Sequence, residues 1–247
     1  MVPDLEELYF EHFSTDERDE LHKTARMYLR TGGTLHRTDD STVRNELTRS
    51  QFLLYLYKEL ADYESIQKPE NLHKLSSIAA SQAGEELRYT DISDRIRADR
   101  RTVASYLKAL NDGIAVSESH DYSLRRYRRT RLYLRNPRHV VLLPQRREHD
   151  GFEEYDHQNV LNHEFEHKLT RTVAFDHAKR LAFTTGAYGV EYCKTDSGLV
   201  DYVLHREGTV LPFVLSYHPL HRRCRTSCRR VRPQRGSAYE TGQRGVA

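Results

Sequence analysis

The sequence has few cysteines and no long apolar stretch. Three of its 247 residues are cysteines, Cys193, Cys224 and Cys228, and this odd number does not suggest a disulfide framework. No apolar run approaches the roughly 20 residues that span a bilayer. The residues Met1–Glu7 lack the basic start and apolar centre of a signal peptide. We therefore expect a cytoplasmic protein without a membrane partner.

Acidic and basic residues are unevenly distributed, although the formal net charge is only +3. Residues 1–64 contain 14 acids and 8 bases, whereas residues 69–145 contain 9 acids and 14 bases. From residue 221 to the end there are eight arginines and one glutamate, without hydrophobic periodicity. These counts predict an acidic first region, a basic central region and a disordered basic tail.

Apolar spacing predicts a helical N-terminal region over residues 1–68. Three helical faces carry this prediction: Leu5, Leu8 and Phe13; Leu21, Ala25 and Tyr28; and Phe52, Leu56, Leu60 and Tyr63. Gly32-Gly33 predicts a loop that continues to about Ser41. Lys68-Pro69 ends the region, because the residue before proline is pushed away from helical geometry.

Residues 69–145 have the pattern of a winged helix-turn-helix. The inward faces of its three helices are Leu72, Leu75, Ala79 and Ala83; Ile92 and Ile96; and Val103, Leu107 and Leu110. Thr90 and Asp99 are the expected N-caps of the second and third helices, and Gly113 is the expected left-handed C-cap. A β-hairpin over Ser123–Val141 completes the predicted unit.

The rest of the chain is predicted to hold a charged linker over 146–158, an α-β-β-β unit over 159–220 and the tail over 221–247. The helix is expected over Val160–Ala182, with Leu161, Phe165, Leu169, Val173 and Leu181 on one side. The strands are expected at Tyr188–Cys193, Leu199–Leu204 and Val210–Ser216. The expected fold class is mixed α/β (α+β).

Several segments occur in an order that resembles a known family. They are Tyr28–Gly33, the winged helix, Phe165-Glu166, Gly198–Leu204 and Val210–Tyr217. The chain resembles the C-terminal half of prokaryotic, especially archaeal, AAA-type ATPases of uncharacterised role. That resemblance implies a winged helix followed by a restriction-endonuclease-like domain, with an ATPase domain before them.

Two motifs that such a protein would use for catalysis are missing. No glycine in the chain is followed by lysine, so the phosphate-binding loop G-x-x-x-x-G-K-[ST] is absent. In the nuclease-like part, Asp201 matches the first acid, but Val214 and Ser216 stand where an acid and a lysine would be. We therefore expect a degenerate endonuclease-like unit, no cofactor and no catalysis, although a residual nuclease site at Asp201 and Glu166 stays an alternative.

The basic surface of the winged helix is the strongest functional signal. Arginines of a recognition helix can contact guanine edges, and those of a wing can contact phosphates. The predicted DNA-binding residues are Arg100, Arg101, Thr102, Ser105, Lys108, Arg125, Arg126, Arg128, Arg129 and Arg131. The competing interpretation is a docking module whose arginines meet an acidic partner, such as a separate ATPase subunit or the acidic first region.

Two metal-binding patterns are weaker alternatives. His163-Glu164-Phe165-Glu166-His167 formally matches the H-E-x-x-H signature of a zinc protease. The cluster of His218, His221, Cys224 and Cys228 offers four zinc-competent ligands, but all lie in one arginine-rich run. The preferred hypothesis is a non-catalytic module that binds double-stranded DNA or a partner subunit.

Overall fold

A computed structural model describes residues 12–31, 41–123, 129–143, 163–195, 198–206 and 209–215. Its helices and two three-stranded sheets form an α+β fold, which confirms the predicted class. The chain divides into two compact units, 1–118 with 130–174 and 119–129 with 175–247. The three boundaries of this division, at 118/119, 129/130 and 174/175, all lie inside regular elements, and the domain bounds expected from the sequence stay a prediction.

The first helices are α1 (Thr15–Thr31) and α2 (Ser41–Leu54), and α2 continues into a π-helix (Tyr55–Leu60) and a last α-helical turn (Ala61–Tyr63). The predicted face of Leu21, Ala25 and Tyr28 does not enter a core. Leu21 and Ala25 are exposed, while Tyr28 and Leu29 near the end of α1 are half-buried. Strongly charged α1 therefore contributes only its C-terminal part to packing, with Leu29 against the core.

The π-helix changes the predicted face of the third helical segment. Phe52, Leu56 and Leu60 are buried as expected, but Tyr63 is 85% exposed and Ala61 is buried instead. A π-helical turn closes i→i+5 bonds and holds more residues than an α-helical turn. The periodicity therefore shifts after Tyr55, and Tyr63 leaves the buried side.

The central elements are α3 (Glu70–Ser81), β1 (Glu86–Arg88), α4 (Tyr89–Ile96) and α5 (Arg100–Asp112). Their predicted inward residues are all at most 1% exposed: Leu72, Leu75, Ala79, Ala83, Ile92, Ile96, Val103, Leu107 and Leu110. The hydrophobic spacing thus identified the buried faces of all three helices correctly.

The predicted helix ends are correct at Asp99, wrong at Thr90, and correct in position but not in conformation at Gly113, which is the C-cap of α5. Asp99 caps α5, because its side chain accepts the N–H groups of Arg101 and Thr102 at 2.8 and 3.0 Å. Thr90 is not the N-cap of α4, since the cap position is Arg88 and Thr90 lies inside the first turn. Gly113 is not left-handed either: its φ is −76°, and the following residue has the positive φ.

The hairpin predicted over Ser123–Val141 was correct for one strand only, because the other strand ends before Ser123 and the last predicted residues are helical. The strands are β2 (Val116–His120) and β3 (Arg129–Leu134), in a sheet ordered β1-β3-β2. After β3 the chain forms α6 (Pro137–Leu142), so the residues up to Val141 are not strand.

Local chemistry explains why α6 forms there. Asn136 is the N-cap, and its Oδ1 accepts the N–H of Arg138 at 2.8 Å. Pro137 occupies the first helical position, where its missing N–H costs nothing. Val140 and Val141, which favour strands intrinsically, are buried by the helix instead.

One hydrophobic core holds the first unit together. It joins residues of α2 and the π-helix to residues of α3, α4, α5, α6 and the sheet β1-β3-β2. Leu169 also belongs to it and is 2% exposed; this residue lies in the first half of the long helix α7 (His163–Thr185). The N-terminal helical region and the central region therefore share a single core.

The second unit contains the end of α7 and an antiparallel sheet of β4 (Val190–Thr195), β5 (Gly198–Arg206) and β6 (Thr209–Phe213). The three predicted strands are confirmed in order. A small core cluster of this unit contains Cys193, Val200 and Val203, with Tyr122, Val210 and Val214 packed against them. Leu181 is 39% exposed, so its predicted inward position on the helix is wrong.

Two further findings concern the predicted linker and membrane contact. Residues 146–158 and 221–247 lie outside the described residues, so the predicted linker and tail stay predictions. Within the described part of the chain, no helix combines the length and apolarity needed to cross a bilayer.

Candidate nucleic-acid interface

Helix α5 has a sharp division between a buried and an exposed face. Val103, Tyr106, Leu107, Ala109 and Leu110 are buried. The exposed face carries Arg100, Arg101, Ala104, Ser105, Lys108, Asn111 and Asp112. At 100° per residue these exposed positions span less than half of the helix circumference. The structure thus places Arg100, Arg101, Ser105 and Lys108 on one surface, as predicted.

The start of this face is fixed by Asp99. Its Oδ1 accepts the two backbone N–H groups, and its Oδ2 accepts the hydroxyl proton of Thr102 at 2.7 Å. These hydrogen bonds, with the Thr102 hydroxyl first, lower the pKa of the Asp99 carboxyl below its usual value. Thr102 is half-buried and is occupied by this cap. Among the predicted DNA contacts, Thr102 therefore has a clear role in holding the helix start.

The end of the face is partly neutralised. The Nζ of Lys108 lies 2.5 Å from Oδ2 of Asp112, one turn further along α5. The hydrogen bond and charge of Asp112 raise the pKa of Lys108. Both side chains are well exposed, so water weakens the pair and leaves Lys108 able to exchange partners.

The turn before α5 contains a basic residue that the sequence reasoning did not select. Arg97 is exposed and has a left-handed backbone, with φ 55° and ψ 50°. Its N–H closes the end of α4 on the carbonyl of Ser93. Next to it, Arg95 donates to Oε1 of Gln82 at 2.9 Å. In the sequence, only the position of Arg95 and Arg97 just before the third predicted helix could have indicated that they lie near the basic face.

The predicted wing arginines do not form one exposed set. Arg125, Arg126 and Arg128 lie outside the described residues, and Arg129 is half-buried and belongs to the second unit. Arg131 is only 6% exposed, so the expectation that it lies on the basic surface is wrong. Strand β3 is central in its sheet, and its residues are buried on both faces of the sheet. The usual alternation of buried and exposed side chains is therefore absent, and Arg131 is buried as well.

Asp201, the acid predicted for a residual nuclease site, holds the backbone of a neighbouring segment by a hydrogen bond. Asp201 is 7% exposed, and its Oδ2 accepts the N–H of Leu215 at 3.0 Å. That bond ties the residues after β6 back to β5. Val214, at the position where a nuclease site of the predicted kind would need an acid, packs against the small core cluster.

The other metal hypotheses fall largely outside the described part of the chain. The cluster at His218, His221, Cys224 and Cys228 lies beyond residue 215. His163 and His167 lie in α7, but the side chains of residues 163–166 are outside the description, including Glu166. No group of three or more metal-binding side chains occurs among the side chains that are described.

Comparisons with known proteins give one match. Residues 22–140, just under half of the chain, match a family model described as a domain of unknown function (DUF8612). No curated protein matches the chain, and no solved structure matches it. The matched range contains α5 and its exposed face. The resemblance to AAA-type ATPases stays a prediction.

Proposed function

We propose that the chain is a non-catalytic DNA-binding module, in which α3, α4, α5 and the sheet β1-β3-β2 act as a winged helix. The exposed face of α5, with Arg100, Arg101, Ser105 and Lys108 opposite a fully buried face, is the observation that carries this proposal. An α-helix fits the major groove of B-DNA. A rigidly packed helix with basic residues on its free side suits that groove.

The individual residues suggest different contacts. Arg100 and Arg101 lie in the first turn of α5, where Asp99 already satisfies two backbone N–H groups. Their guanidinium groups can bind phosphates, or the O6 and N7 acceptors of guanine, in a bidentate manner. Lys108 and Ser105 lie further along the same face and offer an ammonium and a hydroxyl. If each cation neutralises one phosphate, α5 alone gives a salt slope of about −3.

Docking to a protein partner is the second candidate. Helices α4 and α5, with the turn between them, also expose the acids Asp91, Asp94, Asp99 and Asp112, so their exposed charge is mixed rather than uniformly basic. Mixed charges suit a complementary protein surface, whereas DNA repels carboxylates. A separate ATPase domain or subunit is the partner that the family resemblance suggests for this case.

A cytoplasmic location and a non-catalytic role complete the proposal. The free, buried thiol of Cys193 supports a reducing compartment, and burial raises its pKa to about 11, which makes it a poor nucleophile. The hydrogen bond from Leu215 to Asp201 supports a structural role for the acid that a nuclease would need.

The direct test is binding of the full chain to a short DNA duplex, measured by fluorescence anisotropy at low salt. The R100A/R101A variant should bind at least about tenfold more weakly, because a lost arginine contact costs roughly 1–3 kcal/mol. Both residues are exposed, so the variant should fold normally.

The matched control removes the same charge elsewhere. Lys23 and Lys58 are exposed residues of other helical segments, and K23A/K58A changes the net charge equally. We expect this variant to bind like the wild type. Equal weakening by both double variants would show a nonspecific charge effect, and absence of any binding by the wild type would favour protein docking instead.

A further inference from the structure

The turn between α4 and α5 holds an arginine whose side chain the fold does not use. Arg97 is exposed, and among the residues that the structure describes its guanidinium makes no hydrogen bond or ion pair. The nearest acids along the chain, Asp94 and Asp99, form no ion pair with it. Arg95 differs, because its Nη1 donates to Oε1 of Gln82 at 2.9 Å. Within the described part of the chain, the donors of the Arg97 guanidinium are therefore open to an outside partner.

The backbone conformation of Arg97 does not explain why an arginine stands there. Its φ of 55° and ψ of 50° are left-handed, and this conformation ends α4. The N–H groups of Arg97 and Ala98 both reach the carbonyl of Ser93. Helices usually end in this way on a glycine, because a side chain is unfavourable in the left-handed region. A glycine would close α4 with less strain, so the arginine is better explained by its side chain.

Arg97 also lies close to the basic end of the exposed α5 face. It precedes Arg100 by three residues, so their Cα atoms are at most about 11 Å apart. Arg100 and Arg101 are in the first turn of α5, and the first residues of a recognition helix are those that reach base edges. The major groove is about 12 Å wide. With that turn in the groove, the neighbouring Arg97 lies near the sugar-phosphate backbone at the edge of the groove.

We propose that Arg97 binds a DNA phosphate at the edge of the major groove, while Arg100 and Arg101 face the groove itself. This inference rests on the proposed DNA binding and adds the contact that fixes the turn on the backbone. A guanidinium suits that contact because it can donate to two phosphate oxygens at once. Phosphate contacts carry no sequence information, so Arg97 strengthens binding to any duplex.

The test measures binding of the full chain to two short duplexes, one of A·T pairs and one of G·C pairs, by fluorescence anisotropy at several salt concentrations. R97Q removes the charge but keeps a side chain in the left-handed region. It should make the slope of the logarithm of the association constant against the logarithm of the salt concentration shallower by about 1 with both duplexes. R97K keeps the charge and should retain the wild-type slope.

R97G separates the effect on binding from any effect on folding. Because glycine relieves the left-handed backbone, its denaturation midpoint should be no lower than that of the wild type, while its slope should change as in R97Q. S65G is the matched control, since Ser65 is also exposed and left-handed, with a φ of 53°, and S65G should keep the wild-type slope. R95Q removes a charge two residues away and should also keep it, because Gln82 already holds that guanidinium.

The inference is overturned if R97Q and R97G keep the wild-type slope, if R95Q lowers the slope as much as R97Q, or if the loss is confined to one duplex. R100A/R101A in the same assay shows which proposal has failed. If that variant binds more weakly while R97Q binds like the wild type, only the phosphate contact of Arg97 is wrong. If the wild type binds neither duplex, the proposed DNA binding is wrong, and the contact of Arg97 is wrong with it.

Discussion

At the scale of single residues, Gly113 shows why a glycine is required without a left-handed backbone. A Cβ at this position would lie 2.3 Å from Oη of Tyr55 and 2.8 Å from Cδ1 of Leu60. Gly113→Ala should therefore lower the free energy of unfolding by about 1–3 kcal/mol, the usual cost of overpacking. Chemical denaturation followed by circular dichroism measures the change.

Two comparisons identify the cause of that loss. Gly189 has nothing within 4 Å of an added Cβ, so G189A should not destabilise the protein. In a Y55F background the Oη is absent, so G113A should cost less than in the wild type. Equal costs in both backgrounds would mean that the contact with Tyr55 is not responsible.

His139 makes stability depend on pH. Its folded pKa is about 4, against 6.5 for the free side chain, because the ring is buried. Between these values the unfolded chain holds a proton that the folded chain does not, so stability decreases as pH falls from 6.5 to about 4. The loss from this residue is at most about 3 kcal/mol. Denaturant titrations of the wild type and of H139Q across that pH range measure the free energy of unfolding. The difference between the two pH dependences is the contribution of His139.

The control for this prediction is an exposed histidine. H177Q replaces a solvent-exposed ring of α7 and should keep the wild-type pH dependence. His73 is a half-buried ring whose pKa is also lowered, mainly by desolvation, so some pH dependence in the same direction should remain in H139Q. An unchanged pH dependence in H139Q would contradict the assignment to His139.

At the scale of elements, the cap of α5 decides how well the candidate interface is held. Asp99→Ala removes the acceptor of the Arg101 and Thr102 N–H groups. We expect a lower denaturation midpoint, and weaker DNA binding because the first turn carries Arg100 and Arg101. Asp99→Ser should preserve most of both. Asp94→Ala, at an exposed position within α4, serves as the control and should change neither.

The elements also show where sequence reasoning succeeded. The apolar spacing located α3, α4 and α5 and their buried faces, because a 3.6-residue period records which side meets the core. It failed at Tyr63, where a π-helical turn breaks that period. It also failed at Val140 and Val141, where the cap by Asn136 and the position of Pro137 outweigh the strand preference of valine.

At the scale of the whole molecule, α7 contributes to both compact units, which the sequence did not reveal. Leu169 lies in the core of the first unit, and Lys168 donates to the carbonyl of Ser81 at 2.8 Å. These contacts join residues far apart in the chain, and a local pattern does not record them. The four exposed α5 residues of the candidate site were predictable from the helical period, whereas the packing of α7 against distant segments was not.

Leu169 gives a test of that shared core. Leu169→Ala should destabilise the first unit by about 2–5 kcal/mol, as expected for a buried leucine. Hydrogen exchange measured by mass spectrometry should show faster exchange over residues 70–112. Leu181→Ala makes the same chemical change at a 39% exposed position of the same helix, and it should leave that exchange unchanged. Similar behaviour of the two variants would contradict the packing of α7 into the first core.

The central claim is that the exposed face of α5 binds the DNA backbone, and the salt dependence of binding tests it most directly. For the wild type, the logarithm of the association constant should fall linearly with the logarithm of the salt concentration. The three cations of α5 give a slope of about −3, and further contacts would make it steeper. R100A/R101A should have a slope shallower by about 2, while K23A/K58A should keep the wild-type slope. A wild-type slope near zero, or equal slopes in all three proteins, would contradict the account.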